Sequence, residues 1–413
     1  MRKVMASLDI GYSSIKFIVA EVVKSKVYIL TSSITPNDCV VNDTFDEAKL
    51  AKRIQEIRKK SEEKLGIPIK STLLIVPSVT CAFTTNTCRI DIKSQDNLIT
   101  ALDVNEVIKA SAKNVVQENM ELVNVLPMYY TLDDGTKTNN PINTFSKTLS
   151  VKSIITSSKK EDVYFYLRVL ESIGLDVVDI SYDSIGDYCT FASEETATTC
   201  GAVINIGHKK TTVSIFNKGI LTNTATIKLG GLNVINDISY VYKLDYETSK
   251  VLNSEFALAN SKTAAPNETI VVKNQDAIRT VINQYELSEV VASRLKEILN
   301  VAKKQINTLT KRQISYIICT GGIANMKDFN QTVSDVFGPL ASIGYLNTIG
   351  VRDNRYSSCL GLIKWYDYNA KLKCRDYSIL SLEEQEEFSK EGNQTSMNSN
   401  GIIGKVFDYF FDN

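Results

Sequence analysis

The chain has 413 residues, 43% of them hydrophobic. A chain of this length is too long for one compact core, so we expect two or three domains. Lysine plus arginine and aspartate plus glutamate number 47 each, and this zero net charge excludes a global basic field that would collect nucleic acid. The eight cysteines form no CxxC pair, which disfavours a disulfide framework or a zinc site.

The beginning of the chain predicts a strand, a turn and a second strand. One apolar run ends at Ile10, the turn residues Gly-Tyr-Ser-Ser follow, and a second apolar run reaches Val23. This beginning lacks the long apolar stretch of a signal peptide or a transmembrane helix, so we expect a cytoplasmic location. The pattern then predicts a helix over 46–65 and a buried strand over 71–77 that Pro77 ends.

The rest of the chain alternates helices with strands. Apolar periodicity predicts helices over 105–116, 162–173 and 286–310. Strands that lead into turns are predicted over 124–142, 201–219 and 314–326. The last of these segments predicts a strand, a glycine turn and the start of a helix.

The two strand–turn–strand units are similar to each other. The segment Leu8-Asp9-Ile10-Gly11 has a counterpart in Ile204-Asn205-Ile206-Gly207. In both, an apolar strand contains an acid or an amide and ends in a glycine turn before a second apolar strand. Coincidence would explain either unit alone, but the pair indicates a duplicated architecture.

Each of these turns has the composition of a binding site for phosphate oxygens. Gly11 and Gly207 allow a close backbone approach, so the N–H groups of each turn can form a nest for an anion. Asp9, at a strand end that faces the same cleft, could hold Mg²⁺ through water, because Mg²⁺ keeps several waters and takes one or two carboxylates. Both turns lead into strands, which excludes the P-loop and the dinucleotide fingerprint. The other candidate donors are Ser13, Ser14, Thr211 and Lys16.

Two further elements fit a nucleotide cleft. Gly321 and Gly322 follow a buried strand, where two glycines let a nucleotide lie against the backbone, although glycine pairs are also common in ordinary turns. Glu247 and Lys250 stand at i and i+3 on a predicted helix and share a face. A surface ion pair is the commoner reason for that spacing.

These elements, in this order, resemble the actin/Hsp70/sugar-kinase superfamily and, within it, the FtsA family of bacterial cell-division proteins. The superfamily resemblance lies in LDIGYSSIKFIVAE (8–21), INIGHKKTTVSIF (204–216), the ExxK pair at 247–250, CTGGIANM (319–326) and RYSSCLGLIKW (355–365), which is similar to a closing helix between the lobes. The resemblance to FtsA lies in NVLPMYYTLDDGTKTNNPI (124–142), NTATIKLGGLNVINDISYVYKLDYETSK (223–250) and the short apolar C-terminal segment.

The resemblance implies an α/β, two-lobed actin-like (ribonuclease H-like) fold with an inserted small subdomain and a C-terminal amphipathic helix. The implied parts are lobe one over 1–82 and 161–200, an inserted FtsA-type subdomain over 83–160, lobe two over 201–240 and 311–378, a small subdomain of lobe two over 241–310, a disordered linker over 379–400 and a membrane-targeting helix over 401–413. The implied cofactors are ATP and Mg²⁺. The implied ATP-binding residues are Asp9, Gly11, Tyr12, Ser13, Ser14, Lys16, Asn205, Gly207, His208, Lys209, Lys210, Thr211, Gly231, Glu247, Lys250, Gly321, Gly322, Ile323 and Asn325.

The chain departs from the superfamily pattern at the second turn. Asn205 stands where the superfamily normally has Asp, and His208, Lys209 and Lys210 replace glycine- and threonine-rich residues. An amide cannot supply the same negative charge near Mg²⁺ or an attacking water, whereas two added cations help ATP binding. We therefore expect ATP binding with weak or absent hydrolysis. The resemblance places the water-polarising residue near 181–187, where Asp183 is the candidate.

The end of the chain predicts a membrane-binding helix on a tether. Residues 379–400 are polar and acidic, which favours a disordered linker. Over 401–413 the apolar side chains have the i, i+3, i+4, i+7, i+8 spacing of an amphipathic helix, which is too short to span a bilayer and would lie in its interface. The alternative is a terminal helix docked on the core of the protein. The apolar residues are Ile402, Ile403, Val406, Phe407, Phe410 and Phe411.

The function that the resemblance implies is ATP-dependent polymerisation on the cytoplasmic face of the cell membrane at the division site, where the protein would tether the FtsZ cytokinetic ring. The implied partners are the FtsZ C-terminal tail, docking around 240–310, further copies of the chain in a filament, the lipid surface and other division proteins. One alternative is a sugar or acid kinase of the same superfamily, which would leave the tail unexplained. Another is a PilM-like assembly scaffold, which would use a partner peptide as its anchor instead of a tail.

Overall fold

The computed structural model describes residues 2–41, 44–373 and 378–379, which form two α/β lobes and an inserted domain. Lobe one begins with β1 (Arg2–Ile10), β2 (Ser14–Val23), β3 (Lys26–Pro36), β4 (Val40–Val41), β5 (Thr44–Phe45), α1 (Glu47–Leu65) and β6 (Ser71–Val76). The inserted domain follows with β7 (Ala82–Asp91), α2 (Ala101–Ala112), β8 (Met120–Thr131), β9 (Lys137–Thr138) and β10 (Thr148–Lys159). The chain then returns to lobe one with α3 (Lys160–Ser172), β11 (Asp176–Tyr182), α4 (Asp183–Phe191) and α5 (Glu194–Thr198).

Lobe two comprises most of the remaining chain. Its first part is β12 (Cys200–Ile206), β13 (Thr211–Asn217), β14 (Ile220–Ile227), α6 (Gly231–Tyr242), α7 (Tyr246–Val251), a π-helical turn (Leu252–Phe256), β15 (Thr269–Lys273) and β16 (Arg279–Asn283). Its second part is α8 (Gln284–Leu309), β17 (Tyr316–Thr320), α9 (Phe329–Phe337) and β18 (Ala341–Ile343). The last described helix is α10 (Ser357–Lys373).

The sheets of the two lobes have the same topology. Lobe one has the strand order β11–β6–β1–β2–β3, and lobe two has the order β18–β17–β12–β13–β14. In each, three strands form an antiparallel meander and two further strands run parallel to the first. The duplicated architecture that the repeat predicts is confirmed.

Strand register brings the two glycine turns to equivalent positions. Asp9 pairs with Lys16 across the β1–β2 hairpin, and Asn205 pairs with Thr212 across the β12–β13 hairpin. In the parallel neighbours, Asp9 lies opposite Ile75 and Asn205 lies opposite Thr320. Both turns, and the glycine turn after β17, therefore stand at the carboxyl ends of central strands.

The inserted domain has a sheet of its own, with strand order β7–β10–β8–β9, against which α2 packs. Its small core is separate from those of the two lobes and contains Ile99, Val104, Val107, Leu149 and Val151. The predicted helix over 105–116 is displaced, because α2 runs from Ala101 to Ala112. The physical reason is a capping box: the Thr100 side chain accepts from the Asp103 N–H while the Asp103 side chain accepts from the Thr100 N–H.

In lobe two, the long helix α8 packs on the sheet and on α6. The buried face of α8 packs on β13, β14 and α6, and an arginine fork joins α8 to α6. The guanidinium of Arg294 donates to both carboxylate oxygens of Asp237, from Nε at 2.6 Å and from Nη2 at 2.8 Å. This bidentate geometry fixes the angle between the two helices more firmly than a single contact would.

The final helix corrects one expectation from the sequence, which placed 311–378 in lobe two. The buried side chains of α10, such as Leu362 and Ile363, belong to the core of lobe one, where α10 packs on α4 and β1. The α4 and α10 backbones touch, because a Cβ added to Gly361 would overlap the carbonyl of Gly186. Both helices therefore need glycine at their crossing.

None of the helices in the described ranges has the length and apolar character that spanning a bilayer requires. The predicted linker beyond Ile379 and the predicted helix over 401–413 lie outside the described residues. So do the side chains predicted to enter the membrane, Ile402, Ile403, Val406, Phe407, Phe410 and Phe411.

Candidate functional site

A cleft of about 610 Å³ lies between the lobes, and residues of both glycine turns line it. This volume lies within the range of small-molecule sites. The predicted site residues that line it are Asp9, Gly11, Tyr12, Ser13, Ser14, Lys16, Asp183, Asn205, Gly207, His208, Lys209, Lys210, Gly321 and Gly322.

Six of the predicted residues lie around this cleft without lining it: Thr211, Gly231, Glu247, Lys250, Ile323 and Asn325. The buried hydroxyl of Thr211 donates to the carbonyl of Leu229 at 2.8 Å, and the Asn325 amide donates to Asp353 at 2.7 Å. Ile323 packs beside Gly231.

The ExxK pair lies on the surface beside the second turn. Lys250 Nζ and Glu247 Oε2 are 3.4 Å apart, and both side chains are more than half exposed. The charge of Lys250 nevertheless reaches His208, whose pKa is lowered by burial first and then by Lys209 and Lys250. His208 is therefore neutral at pH 7, and the cations at this end of the cleft are lysines.

The first turn is fixed by its own backbone and by Asn37. Gly11 N–H donates to the Ser14 carbonyl at 3.0 Å, while the Asn37 amide donates to the Gly11 carbonyl at 2.7 Å. Behind the turn, Lys16 Nζ lies 2.8 Å from Asp9 Oδ2 with both side chains largely buried. A Cβ on Gly11 would approach Lys16 Nζ to 2.7 Å, so glycine at this position gives the lysine its place at the cleft.

The second turn is bonded to the start of α6. Gly207 N–H closes the turn by donating to the Lys210 carbonyl at 2.9 Å. The carbonyls of Gly207 and His208 accept from the N–H groups of Gly231 and Leu232 at 2.9 and 2.7 Å. These bonds satisfy N–H groups that a helix otherwise leaves unpaired at its first turn, and they join Gly231 to the second turn although Gly231 does not line the cleft.

The third turn requires glycine. Gly321 has φ 92° and ψ −176°, a conformation that side chains rarely adopt. A Cβ there would lie 2.5 Å from Asn205 Oδ1 and 2.6 Å from the Ile206 carbonyl, so this turn presses directly on the end of β12.

Cations of lobe two meet an aromatic ring of lobe one across the cleft. The Nζ atoms of Lys209 and Lys210 lie 5.1 and 5.2 Å from the centre of the Tyr12 ring, within cation–π range. Lys210 Nζ is also 3.4 Å from the Tyr12 hydroxyl. Positive charge is thus concentrated where the two turns face each other, as a polyphosphate requires.

Two of the carboxylates that line the cleft, Asp9 and Asp183, fit a hydrated magnesium ion. Asp183 Oδ1 accepts from the Ser78 hydroxyl at 2.6 Å and from the N–H groups of Ser78 and Ser184 at 3.1 and 2.8 Å. Burial raises the pKa of Asp183, and the negative charge of Asp9 raises it further. A divalent cation held by Asp9 and Asp183 through water would offset this repulsion and would neutralise bound phosphates. No set of three or more His, Cys, Asp or Glu side chains in the described part of the chain is arranged to hold a metal.

Sequence reasoning missed several groups around this cleft. Phe45, Phe165 and Tyr166 form an aromatic wall beside Tyr12, with neighbouring ring centres 5.4 to 6.4 Å apart. Asn354 also lines the cleft, and its buried Oδ1 has no hydrogen-bond partner among the described residues, so a ligand N–H would satisfy it. Single aromatic or amide residues give no signal in a sequence unless their neighbours in the fold are known.

A buried carboxylate was missed as well. Asp187 is fully buried and bonds to Asn205 and to the two serines that begin α10. Burial raises its pKa to about 7, against the lowering effect of these hydrogen bonds. Asp187 lies within residues 181–187, where the resemblance places a water-polarising residue. The candidate named from the sequence in that interval is Asp183, and Asp183 is the one that lines the cleft.

Two family models match this chain. The model described as cell division protein FtsA matches residues 202–361, and the model of the SHS2 domain inserted in FtsA matches residues 80–157, so that together they cover more than half of the chain. Cell division protein FtsA of Bacillus subtilis is 25% identical over 386 residues, which are 92% of this chain and 87% of that protein. FtsA of Staphylococcus epidermidis is 24% identical over 410 residues, which are 98% of this chain and 87% of that protein.

Solved structures share the fold at low sequence identity. The PilM–PilN type IV pilus biogenesis complex matches with a TM-score of 0.58 at 12% identity, covering 87% of this chain and 97% of that one. MreB5 of Spiroplasma citri bound to ADP matches with a TM-score of 0.54 at 12% identity, covering 89% and 97%. The predicted actin-like, two-lobed α/β fold with an inserted subdomain is confirmed.

Proposed function

The chain belongs to the FtsA family, and from this membership we propose that it is a nucleotide-binding, actin-like protein that tethers the FtsZ ring to the cytoplasmic face of the cell membrane. Three activities make up this proposal: binding of ATP with Mg²⁺ in the cleft, attachment of the tail to lipid, and docking of the FtsZ tail on lobe two. Each has its own support and its own test.

The observation that carries nucleotide binding is the meeting of two equivalent glycine turns at one cleft. Their register is the same in both sheets, and lysines from both lobes, Lys16 and Lys210, line the space between them. Nests of N–H groups with adjacent cations suit a di- or triphosphate. MreB5 of Spiroplasma citri, which shares the fold, has been solved bound to ADP, and this is consistent with the same use of the fold here.

Removing one cation from the cleft tests this assignment. Lys210→Gln should weaken the equilibrium binding of labelled ATP about tenfold, which corresponds to about 1.4 kcal/mol, because a charge next to the phosphates is lost. Lys304→Gln, on the exposed surface of α8, removes the same charge far from the cleft and is the matched control. Equal affinities for the two variants would contradict a nucleotide site between the turns.

We infer that hydrolysis is slow. The neutral Asn205 stands at the second turn, and two of the carboxylates that line the cleft, Asp9 and Asp183, are bonded to Lys16 and to Ser78. Neither of these two carboxylates is positioned in a way that singles it out as a base. Phosphate release should therefore remain well below about 1 s⁻¹, the low end of typical enzyme turnover. Faster turnover would favour a kinase-like or ATPase role instead.

Membrane attachment rests on the amphipathic pattern of 401–413, and several copies on one filament would bind lipid more tightly than one. The test is flotation with lipid vesicles of the full chain and of a chain ending at Asn400, both with ATP. A PilM-like scaffold would not need this segment. Flotation that is the same with and without it would therefore favour that alternative.

Docking of the FtsZ tail is proposed on lobe two around 240–310. Exposed apolar side chains cluster at the end of α6 and on α7, where Tyr240 is 87% exposed and Val251 is 56% exposed. An extended peptide would cover them. Tyr240→Ala should reduce the binding of an FtsZ tail peptide, whereas Tyr368→Ala, which removes an exposed tyrosine of α10, should not.

A further inference from the structure

A buried carboxylate lies directly behind the second glycine turn. Asp187 belongs to α4 and has no exposed surface. Its Oδ2 accepts from the amide nitrogen of Asn205 at 2.6 Å, while its Oδ1 accepts from the hydroxyls of Ser357 and Ser358 at 2.5 and 2.8 Å. Three donors from two other elements thus converge on one carboxylate, the arrangement that an ionised acid favours because it can only accept.

This contact determines which end of the Asn205 amide faces the cleft. An amide has a donating and an accepting end of nearly the same shape, and only its partners decide between the two orientations. With the nitrogen bonded to Asp187, the oxygen lies on the opposite side, beside Gly321, in a residue that lines the cleft. This orientation would present an acceptor to the cleft at this position.

We propose that Asp187 is a positioning residue for nucleotide binding, which holds the Asn205 amide with its oxygen towards the cleft. This inference rests on the proposed nucleotide binding. The acceptor that it presents suits a donor of the bound ligand, such as a water on a hydrated cation or a ligand hydroxyl. Asp187 itself does not touch the cleft, so any effect that it has on nucleotide must pass through Asn205.

The same contact gives the departure at position 205 a structural explanation. The resemblance leads one to expect an acid at 205, and this chain has an amide there with an acid bonded to it. The pair in this chain contains one carboxylate, on α4, and one amide, on β12. Restoring an acid at 205 alone would bring two carboxylates into contact in a buried site, where both cannot ionise.

A purely structural role is the competing explanation. Ser357 and Ser358 are the first residues of α10, and a carboxylate near a helix N-terminus stabilises the helix. On that explanation Asp187 would stabilise the N-terminus of α10 and would have no effect on the orientation of the Asn205 amide. The two explanations differ in what they predict for nucleotide affinity when stability is measured separately.

The experiment compares six proteins at pH 8: the natural chain, Asp187→Ala, Asp187→Asn, Ser357→Ala, Asn205→Asp and the exchanged pair Asp187→Asn with Asn205→Asp. Urea unfolding without nucleotide gives stability, and equilibrium binding of labelled ATP with Mg²⁺ gives affinity. Ser357→Ala removes a donor to Asp187 Oδ1 at a residue that does not line the cleft, and it is the matched control.

Asp187→Ala should lower ATP affinity about tenfold, because the amide nitrogen loses its acceptor and turns. Ser357→Ala should be less stable than the natural chain, with an ATP affinity within about twofold of it. Asn205→Asp should lose both stability and ATP affinity. The exchanged pair should recover stability and bind ATP within about threefold of the natural chain, because it again joins one amide to one carboxylate. Recovery in the exchanged pair also keeps the test decisive if Asp187→Ala does not fold.

Two results would overturn the proposal. One is an Asp187→Ala protein that folds and binds ATP as tightly as the natural chain. The other is an exchanged pair whose losses are the sum of those of its single variants, since independent residues would behave in that way. If the natural chain itself binds no ATP, the proposed nucleotide binding fails first and this inference fails with it, a result that is distinguishable from both.

Discussion

Replacing Gly321 with alanine adds only one methyl group, yet we expect it to disrupt the cleft strongly. Its φ of 92° and ψ of −176° lie in a region used almost only by glycine, where another residue costs on the order of 1–3 kcal/mol. The added methyl of Gly321→Ala would also lie 2.5 Å from Asn205 Oδ1 and 2.6 Å from the Ile206 carbonyl. Relieving such overlap in a packed region costs typically about 1–3 kcal/mol more.

The two costs together predict a loss of about 2–6 kcal/mol in unfolding free energy, measured by urea unfolding without nucleotide. With a slope of about 2 kcal/mol per molar urea, the midpoint of the transition should fall by about 1–3 M. ATP affinity should fall with it, because the end of β12 must move to make room.

Gly322→Ala is the matched control. Its methyl would meet only the flexible side chain of Arg355, at an ordinary distance of 3.6 Å, so its stability should change by less than about 1 kcal/mol. If the two variants unfold at the same urea concentration, the reasoning from backbone conformation at this turn is refuted.

Three other predictions concern the tail, the buried acid and the arginine fork. Replacing Phe407 and Phe410 with Glu should release the protein from vesicles while ATP binding persists. A several-fold increase in salt should leave the natural chain bound, because salt screens charge and not apolar contact. Release by salt combined with vesicle binding of the double variant would place the tether elsewhere. Burial raises the pKa of Asp187 from 3.8 to about 7, so between these pH values the folded protein binds a proton that the unfolded chain releases. The stability that this group contributes is therefore lost as pH rises through that window. In urea unfolding, the advantage of the natural chain over Asp187→Asn should be larger at pH 5 than at pH 8, and a constant difference would contradict the raised pKa. Arg294→Ala should cost about 1 kcal/mol because its fork to Asp237 is partly exposed, and Arg294→Lys should recover little of it; full recovery by lysine would show that charge and not geometry matters.

The strands and glycine turns of the fold could be predicted because their signals are local. Apolar runs that flank Gly11 and Gly207 specify hairpins without reference to the rest of the chain. The beginning of α2 was misplaced because periodicity is a weaker signal than the capping box at Thr100, which fixes the first turn directly. Membership of α10 in lobe one could not be read locally, since its apolar residues would suit either core.

The cleft could be predicted in outline for a related reason. Its glycine turns follow strands that occupy equivalent places in two similar sheets, so the repeat itself indicated that they would meet. The role of Asp187 was not accessible in this way, because its partners Asn205 and Ser357 are 18 and 170 positions away in the sequence. The exposed Glu247–Lys250 pair shows the converse, since a spacing that suits a site also suits an ordinary surface ion pair.

The contact between Gly186 and Gly361 has a mechanical consequence. Each of the two helices is joined along the chain to lobe two, α4 through α5 to β12 and α10 from β18. Because backbone meets backbone here, no side chain can repack to absorb a displacement, so α4 and α10 stay fixed to each other within lobe one. A rotation of lobe two relative to lobe one would then be taken up by the connecting segments outside this crossing, and it would change the distance between the turns at 11–14 and 207–210 while the crossing stays unchanged.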